Sequence, residues 1–305
     1  VSDAKVHGER HTDQVGGVIY PPCTDGALDM GIAGHEYTHA ISNRMVAGPD
    51  GNLSSEQGRA MGESWSDLVA TEFQQEFNYQ QQSGYSPLAL GAYTTGNPVR
   101  GIRDYPLDDS PLNYGNYGFD TPGPEVHADG EIWNATQWSL RQALVEAYDA
   151  KYPSSDIKLQ RDCANGLVEA AYCPGNRRWI QLMFDAFLLQ QADTSMLDAR
   201  DAMLAADLAR FGGADLELMW KVFAQRGMGE HAYTAGGEDV EPVPNFESPY
   251  IKAGDAANVT FKVLAGDESN APVKARILVG RYATRTRQIA DTDPETVIEQ
   301  TDEAT

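Results

Sequence analysis

Apolar residues return at three- and four-residue steps in one stretch of this chain after another, and that period commits most of it to amphipathic helix. The first stretch runs from Asp29 through Ser42, where Ile32, Ala33, Tyr37, Ala40 and Ile41 share the spacing. The second begins at Gly58 in GRAMGESWSDLVATEFQQEFN, with Trp65, Leu68, Val69, Glu72 and Phe73 in step, and is expected to face the first. The loop GPDGNLSS separates them. Helical spacing returns in VHADGEIWNATQWSLRQALVEAYDA, NRRWIQLMFDAFLLQQ, SMLDARDAMLAADLARF and ADLELMWKVFAQRGMG, so the expected fold is a mainly α-helical bundle. After HAYTAGGEDVEPVPNFESP the period changes to two, in ANVTFKVLAG and VKARILVGRYATRTRQI, which read as strands and place a boundary near Ser248. The expected organisation is an irregular lead-in over 1–28, a helical lobe over 29–250 and a β-rich segment over 251–305.

Residues 83–125 break this pattern. They are rich in Gly, Pro, Asn and Tyr and show no period, and a stretch of that length commonly forms a functional wall or lid. Composition removes whole classes of partner. With 45 acidic against 23 basic residues the formal charge is −22, which repels phosphate backbones and anionic lipid, so neither nucleic acid nor a membrane surface is expected as partner. No apolar run reaches the roughly 18 residues that a membrane span requires. The chain opens VSDAKVHGER without an initiator Met and reads as a processed or truncated piece of something longer. Of its 3 cysteines, Cys163 and Cys173 are ten residues apart. That spacing suits a disulfide closing a small loop between helices and equally suits two buried thiols, with Cys23 left over in either case.

In GIAGHEYTHAISNRM, His35 and His39 stand four residues apart with Glu36 beside the first. Four helical residues advance about 6 Å and turn about 40° past a full turn, so both imidazoles can converge on one ion. Glu36 points a residue-step around the axis, where a carboxylate can reach water at the ion without ligating the ion, as a general base must. Catalytic zinc sites usually take three protein ligands and leave a fourth position open. The candidate third ligand is Glu63 in MGESWSD, 24 residues beyond His39 on the second helix. Asp67, four residues later on the same face, is placed to accept from the distal ring nitrogen of a ligating histidine. Alone, such a Glu/Asp pair reads as a solvent-exposed helix edge; the HExxH pattern upstream turns it toward a metal site. No G-x-S-x-G elbow is present, and the cysteines lie away from the histidines, so a serine or cysteine nucleophile is not expected.

Four blocks in order, HEYTHAISNRM, GRAMGESWSDLVA, PEVHADGEIW and ARDAMLAAD, resemble the fungalysin family of secreted zinc metallopeptidases, relatives of the thermolysin-like enzymes. The resemblance covers roughly residues 25 to 250 and implies a secreted, extracellular endopeptidase that cleaves internal bonds of protein or peptide substrates and is made as a precursor with a propeptide. It implies zinc on His35, His39 and Glu63, Glu36 as general base, Asp67 orienting a ligating histidine, and His127 steadying the oxyanion of the tetrahedral intermediate. Glu131 is a family-typical position with a less definite role, read as a substrate-binding candidate. The fold implied is the helical C-terminal lobe of a thermolysin-like enzyme followed by a short β-rich segment. Only some thirty residues precede the zinc helix, so the family's N-terminal β-rich lobe is largely absent from this chain and residues 1–28 read as its remnant. That lobe, or a propeptide, is an expected associating partner. The competing expectation is a zinc-stabilised protein-binding module, or an inactive fragment; an unligated Glu36 speaks for chemistry, because a structural zinc site fills its fourth position with protein.

The stretch RDYPLDDSPLNYGNYGFD admits two readings. Asp104, Asp108, Asp109 and Asp120, with Asn113, Asn116 or backbone oxygens, are candidates for a calcium loop, although the EF-hand spacing is missing. Arg103, Tyr105, Tyr114 and Tyr117 are candidates for a substrate-cleft wall contacting a peptide, and this second reading is preferred.

Overall fold

The computed structural model describes residues 25–76, 88–120 and 123–250, together with the backbone of 276–279 and 287–291. The chain divides into two units, Val1–Ser248 and Pro249–Thr305. The described part of the first is mainly α-helical: α1 (Met30–Met45), α2 (Glu56–Glu76), α3 (Ala92–Thr95), α4 (Val126–Tyr148), α5 (Ile157–Ala164), α6 (Gly175–Phe187), α7 (Met196–Phe211) and α8 (Leu216–Gln225). In the second, β1 (Arg276–Val279) pairs antiparallel with β2 (Arg287–Asp291), with a register shift between Ile277 and Leu278. The alternating run VKARILVGRYATRTRQI thus contributes two strands, while the strand expected in ANVTFKVLAG lies outside the described residues.

Two buried helices, α2 and α4, organise the first unit. α2 packs against α1 on one side and α4 on another, and α4 in turn meets α6 and α8. Trp65 of α2, Trp133 of α4, Trp179 of α6 and Phe223 of α8 are fully buried; Trp133 stacks on Phe223 at 6.3 Å between ring centroids, while Trp65 meets Phe187 edge-on at 4.8 Å and Trp179 meets Trp138 edge-on at 6.5 Å. Close approach of the helices depends on glycine. A Cβ at Gly34 of α1 would stand 3.0 Å from the Ala70 Cβ of α2, and one at Gly130 of α4 would stand 2.7 Å from the Ala60 carbonyl oxygen of α2. Any side chain at these two positions would push α1 or α4 away from α2.

α1 starts where Asp29 accepts from the Gly31 N–H at 2.9 Å, an N-cap that satisfies an otherwise orphaned donor. Its buried stripe is Gly31, His35, Thr38 and Ser42, whereas Ala33, Tyr37 and Ala40, which gave the helix its apolar period, face outward. A helix whose inward face is small and polar is built to bring functional groups close to its neighbour.

The segment that lacked a period is anchored by polar contacts. Arg226, at the end of α8, donates to the carbonyls of Ser110 and Leu112, both at 2.9 Å. The Tyr114 hydroxyl donates to Gln57 Oε1 at 3.0 Å. α5 was not signalled by any apolar stripe. Asp156 caps it by accepting from the Leu159 N–H, its one buried side chain, Gln160, bonds Asn176 at 2.8 Å, and a Cys163–Cys173 disulfide closes the loop behind it. Of the two readings open for that cysteine pair, the structure contains the disulfide.

Asp207 of α7 is buried, with Oδ2 accepting the Asp215 N–H at 3.0 Å and Oδ1 without a partner. Burial pushes its carboxyl up to about 6; the Asp215 N–H opposes that shift and the Asp215 charge adds to it. A carboxyl raised on folding contributes stability below its unfolded value and loses it as pH rises through the folded one. Asp207→Asn is therefore expected to gain stability relative to wild type as pH increases from about 5 to about 7, read as a difference in urea midpoint that grows across this range. A constant difference would contradict the linkage.

Candidate metal centre

α1 presents His35 and His39 toward α2, and α2 presents Glu63 back. His35 Nε2 lies 3.0 Å from His39 Nε2, Glu63 Oε2 lies 3.3 Å from His35 Nε2, and Glu63 Oε1 lies 3.4 Å from His39 Nε2. Two ring nitrogens this close repel unless a proton or a cation lies between them. The rings stand nearly perpendicular, at 86°, so their lone pairs approach a common point from different directions. Among the described residues this is the one group of three or more His, Cys, Asp and Glu with donor atoms within 4.8 Å of one another. Two imidazoles and a carboxylate fit zinc, and the set leaves room for a further ligand.

Orientation comes from Asp67. Its carboxylate is 1% exposed and accepts from His35 Nδ1 at 2.8 Å, from Arg103 Nε at 2.7 Å and Nη2 at 2.8 Å, and from Asn134 Nδ2 at 2.8 Å. With Nδ1–H committed to Asp67, the Nε2 lone pair of His35 faces the convergence point. Asn134 is itself held by the Ser64 hydroxyl at 2.8 Å, and Arg103 Nη2 also reaches Glu63 Oε2 at 3.4 Å. Burial would raise Asp67, but the Arg103 charge and the bonds from His35 and Arg103 hold it far below the usual carboxylate range. Glu63 is lowered in the same way: burial works against ionisation and the His35 bond and Arg103 charge outweigh it. Burial alone would lower His35, yet its bonds to Asp67 and Glu63 push it up to about 9. The pocket thus favours positive charge where a cation would sit. Burial lowers His39, against the pull of Glu63 and Glu36.

Glu36 is exposed on α1 beside His35 and makes no hydrogen bond or ion pair among the described residues. His127 stands in the first turn of α4, half exposed, its Nε2 3.5 Å from Glu63 Oε2 and its Nδ1 2.5 Å from Glu125 Oε1. The structure brings His35, His39, Glu63, Asp67 and His127 together, and adds three residues that sequence reasoning did not single out: Asn134, Ser64 and Glu125. Glu125 was open to discovery as an acid at a helix start, where it accepts from the Ala128 N–H at 3.0 Å. A buried asparagine inside a helix leaves no periodic trace.

The expected cleft wall is largely corrected. Tyr114 and Tyr117 are 0% and 1% exposed and belong to the core, Arg103 is buried on Asp67, and Glu131 is buried while accepting the backbone N–H groups of Asp104 and Tyr105 at 2.9 and 3.0 Å. Only Tyr105 of the three tyrosines keeps partial exposure, lining a groove of about 490 Å³ with Arg100, Asp108 and Asp109. Burial pushes Glu131 up to about 8, against the Asp104 N–H and the Arg103 charge. Asp104, Asp108, Asp109 and Asp120 form no metal-holding group among the described residues, so the calcium loop finds no support. None of the described helices is long and apolar enough to cross a membrane.

Comparison with known proteins shows what this arrangement is similar to. The family model described as fungalysin metallopeptidase (M36) matches residues 19–232. The "Extracellular metalloproteinase mep" of Aspergillus terreus is 32% identical over 227 residues, which is 72% of this chain and 33% of that protein. "Extracellular metalloproteinase 3" of Trichophyton soudanense is 34% identical over 212 residues, 68% of this chain and 51% of that protein, and its namesake in Trichophyton rubrum is equally identical with 31% of its length covered. The chain spans a third to a half of the length of these curated relatives.

Removing Asp67 leaves the Arg103 guanidinium buried without its partner, and breaking a buried pair in this way costs about 3–5 kcal/mol. Asp67→Ala is expected to lose stability on that scale in urea unfolding and to bind zinc about 10–100-fold more weakly. Unchanged zinc affinity in a folded Asp67→Ala protein would contradict the orienting role.

Proposed function

The chain belongs to the fungalysin metallopeptidase family, and on that premise we propose that it is the metal-binding lobe of a secreted zinc endopeptidase that hydrolyses internal peptide bonds of proteins. The observation carrying this reading is the convergence of His35, His39 and Glu63 with Glu36 exposed beside them. His35 and His39 through Nε2, and Glu63 through its carboxylate, would hold the ion. When bound, zinc supplies Lewis acidity that polarises a carbonyl and acidifies water.

The chain's own residues account for the proton movements. Glu36 takes the proton of the attacking water and passes it to the leaving amine, so no covalent acyl-enzyme forms. His127 donates from Nε2 to the carbonyl oxygen as negative charge builds there. Glu125, 2.5 Å from the His127 Nδ1, holds the ring in place. Asp67 keeps His35 in the ligating tautomer, and Arg103 keeps Asp67 ionised.

Extracellular location is supported by the relatives, which are named extracellular metalloproteinases, and by the Cys163–Cys173 disulfide, a bond suited to an oxidising compartment. The relatives extend well beyond the matched region. A division into a lead-in over 1–28 derived from an upstream lobe, a helical metal-binding lobe over 29–250 and a β-rich segment over 251–305, with the upstream lobe or a propeptide as associating partner, belongs to the same proposal.

Glu36→Gln is expected to keep zinc and fold while losing roughly 10²–10⁴-fold in peptide hydrolysis, the scale of a lost general base. His127→Ala should keep zinc and lower kcat/KM mainly through kcat. Full activity in metal-replete Glu36→Gln would rule out its role, and loss of zinc from His127→Ala would make that histidine a ligand instead.

A further inference from the structure

Glu131, buried in the second turn of α4, accepts two successive backbone N–H groups, those of Asp104 and Tyr105. It is 3% exposed, so substrate does not reach it. The residues it holds follow directly after Arg103, whose guanidinium forks onto Asp67 and extends to Glu63. The side chain of Arg103 can keep that fork only if its backbone is fixed, because a guanidinium bidentate on a carboxylate tolerates little displacement. The chain around Arg103 lies outside the long helices, and the two bonds to Glu131 tie it to the rigid body of α4.

We propose that Glu131 is a positioning residue for the metal centre: by pinning the backbone at Asp104 and Tyr105 it sets the place of the Arg103 guanidinium, and through it the orientation of Asp67 and Glu63. The inference rests on the metallopeptidase reading above. A carboxyl group suits the task because it sets two oxygens side by side, each accepting one N–H. Glutamine keeps the shape but offers one oxygen and turns an amide donor toward the second N–H, so one of the two bonds is lost.

The test is a double-mutant cycle read as zinc affinity, measured by competition with a chromophoric chelator on the full chain. Wild type is measured first beside His39→Ala: if wild type binds no stoichiometric zinc, the metallopeptidase reading itself fails, whatever Glu131 does. Given zinc binding, Glu131→Gln is expected to weaken affinity about tenfold, at the lower end of what outer partners of metal ligands contribute. In an Arg103→Lys background, where the fork is already lost, the same substitution is expected to change affinity by less than about twofold, since coupled residues are non-additive. Equal losses in both backgrounds, or no loss in the first, would overturn the proposal, because a residue that only supports the fold acts independently of Arg103. Glu131→Asp, which retains the two carboxyl oxygens at shorter reach, is carried through the same cycle; failure of both variants to fold would make Glu131 a fold determinant and overturn the proposal as well.

Discussion

The site depends on the carboxylate of Asp67, buried between α1, α2 and α4 and ionised by its company. It gathers a histidine from α1, an arginine from the stretch between α3 and α4, and an asparagine from α4, all within 2.8 Å. A buried charge is costly unless its partners are complete. Here four donor hydrogen bonds complete it, and each also points a neighbour where the metal centre requires it. His35 turns Nε2 toward Glu63, Arg103 lies across Asp67 and Glu63, and Asn134 ties α4 to α2.

Such an arrangement demands close helices, and the fold supplies them by leaving out side chains. Gly34 lets α1 lie on Ala70, and Gly130 lets α4 lie on the Ala60 carbonyl. The inward face of α1 carries Gly31, Thr38 and Ser42 around His35 rather than large apolar groups. Trp65, Trp133, Trp179 and Phe187 belong to the buried core shared by α2, α4 and α6. The excess of carboxylate over guanidinium in the pocket raises His35, the same electrostatic preference that would retain a cation.

The helical fold was readable because α2, α4, α6, α7 and α8 bury apolar residues at the helical period. His35, Glu36 and His39 were readable for a related reason: a four-residue spacing has one meaning on a helix. Glu63 and Asp67 could be proposed only by assuming that α1 and α2 touch, a contact set by Gly34 and Ala70 that no local pattern announces. The misreadings share a cause. Tyr114, Tyr117, Arg103 and Glu131 lie in or against a segment without periodicity, where composition cannot tell a tyrosine facing a cleft from one bonded to Gln57 in the core. α5 escaped notice because its fastenings are an Asp cap, a buried glutamine and a disulfide.

Zinc K-edge X-ray absorption on the purified chain, combined with elemental analysis, tests the central claim most directly. The account predicts about one zinc per chain with a first shell of two imidazole nitrogens at about 2.0–2.1 Å and oxygen in the remaining positions. A shell containing sulfur at about 2.3 Å, or zinc that is not stoichiometric, would contradict it.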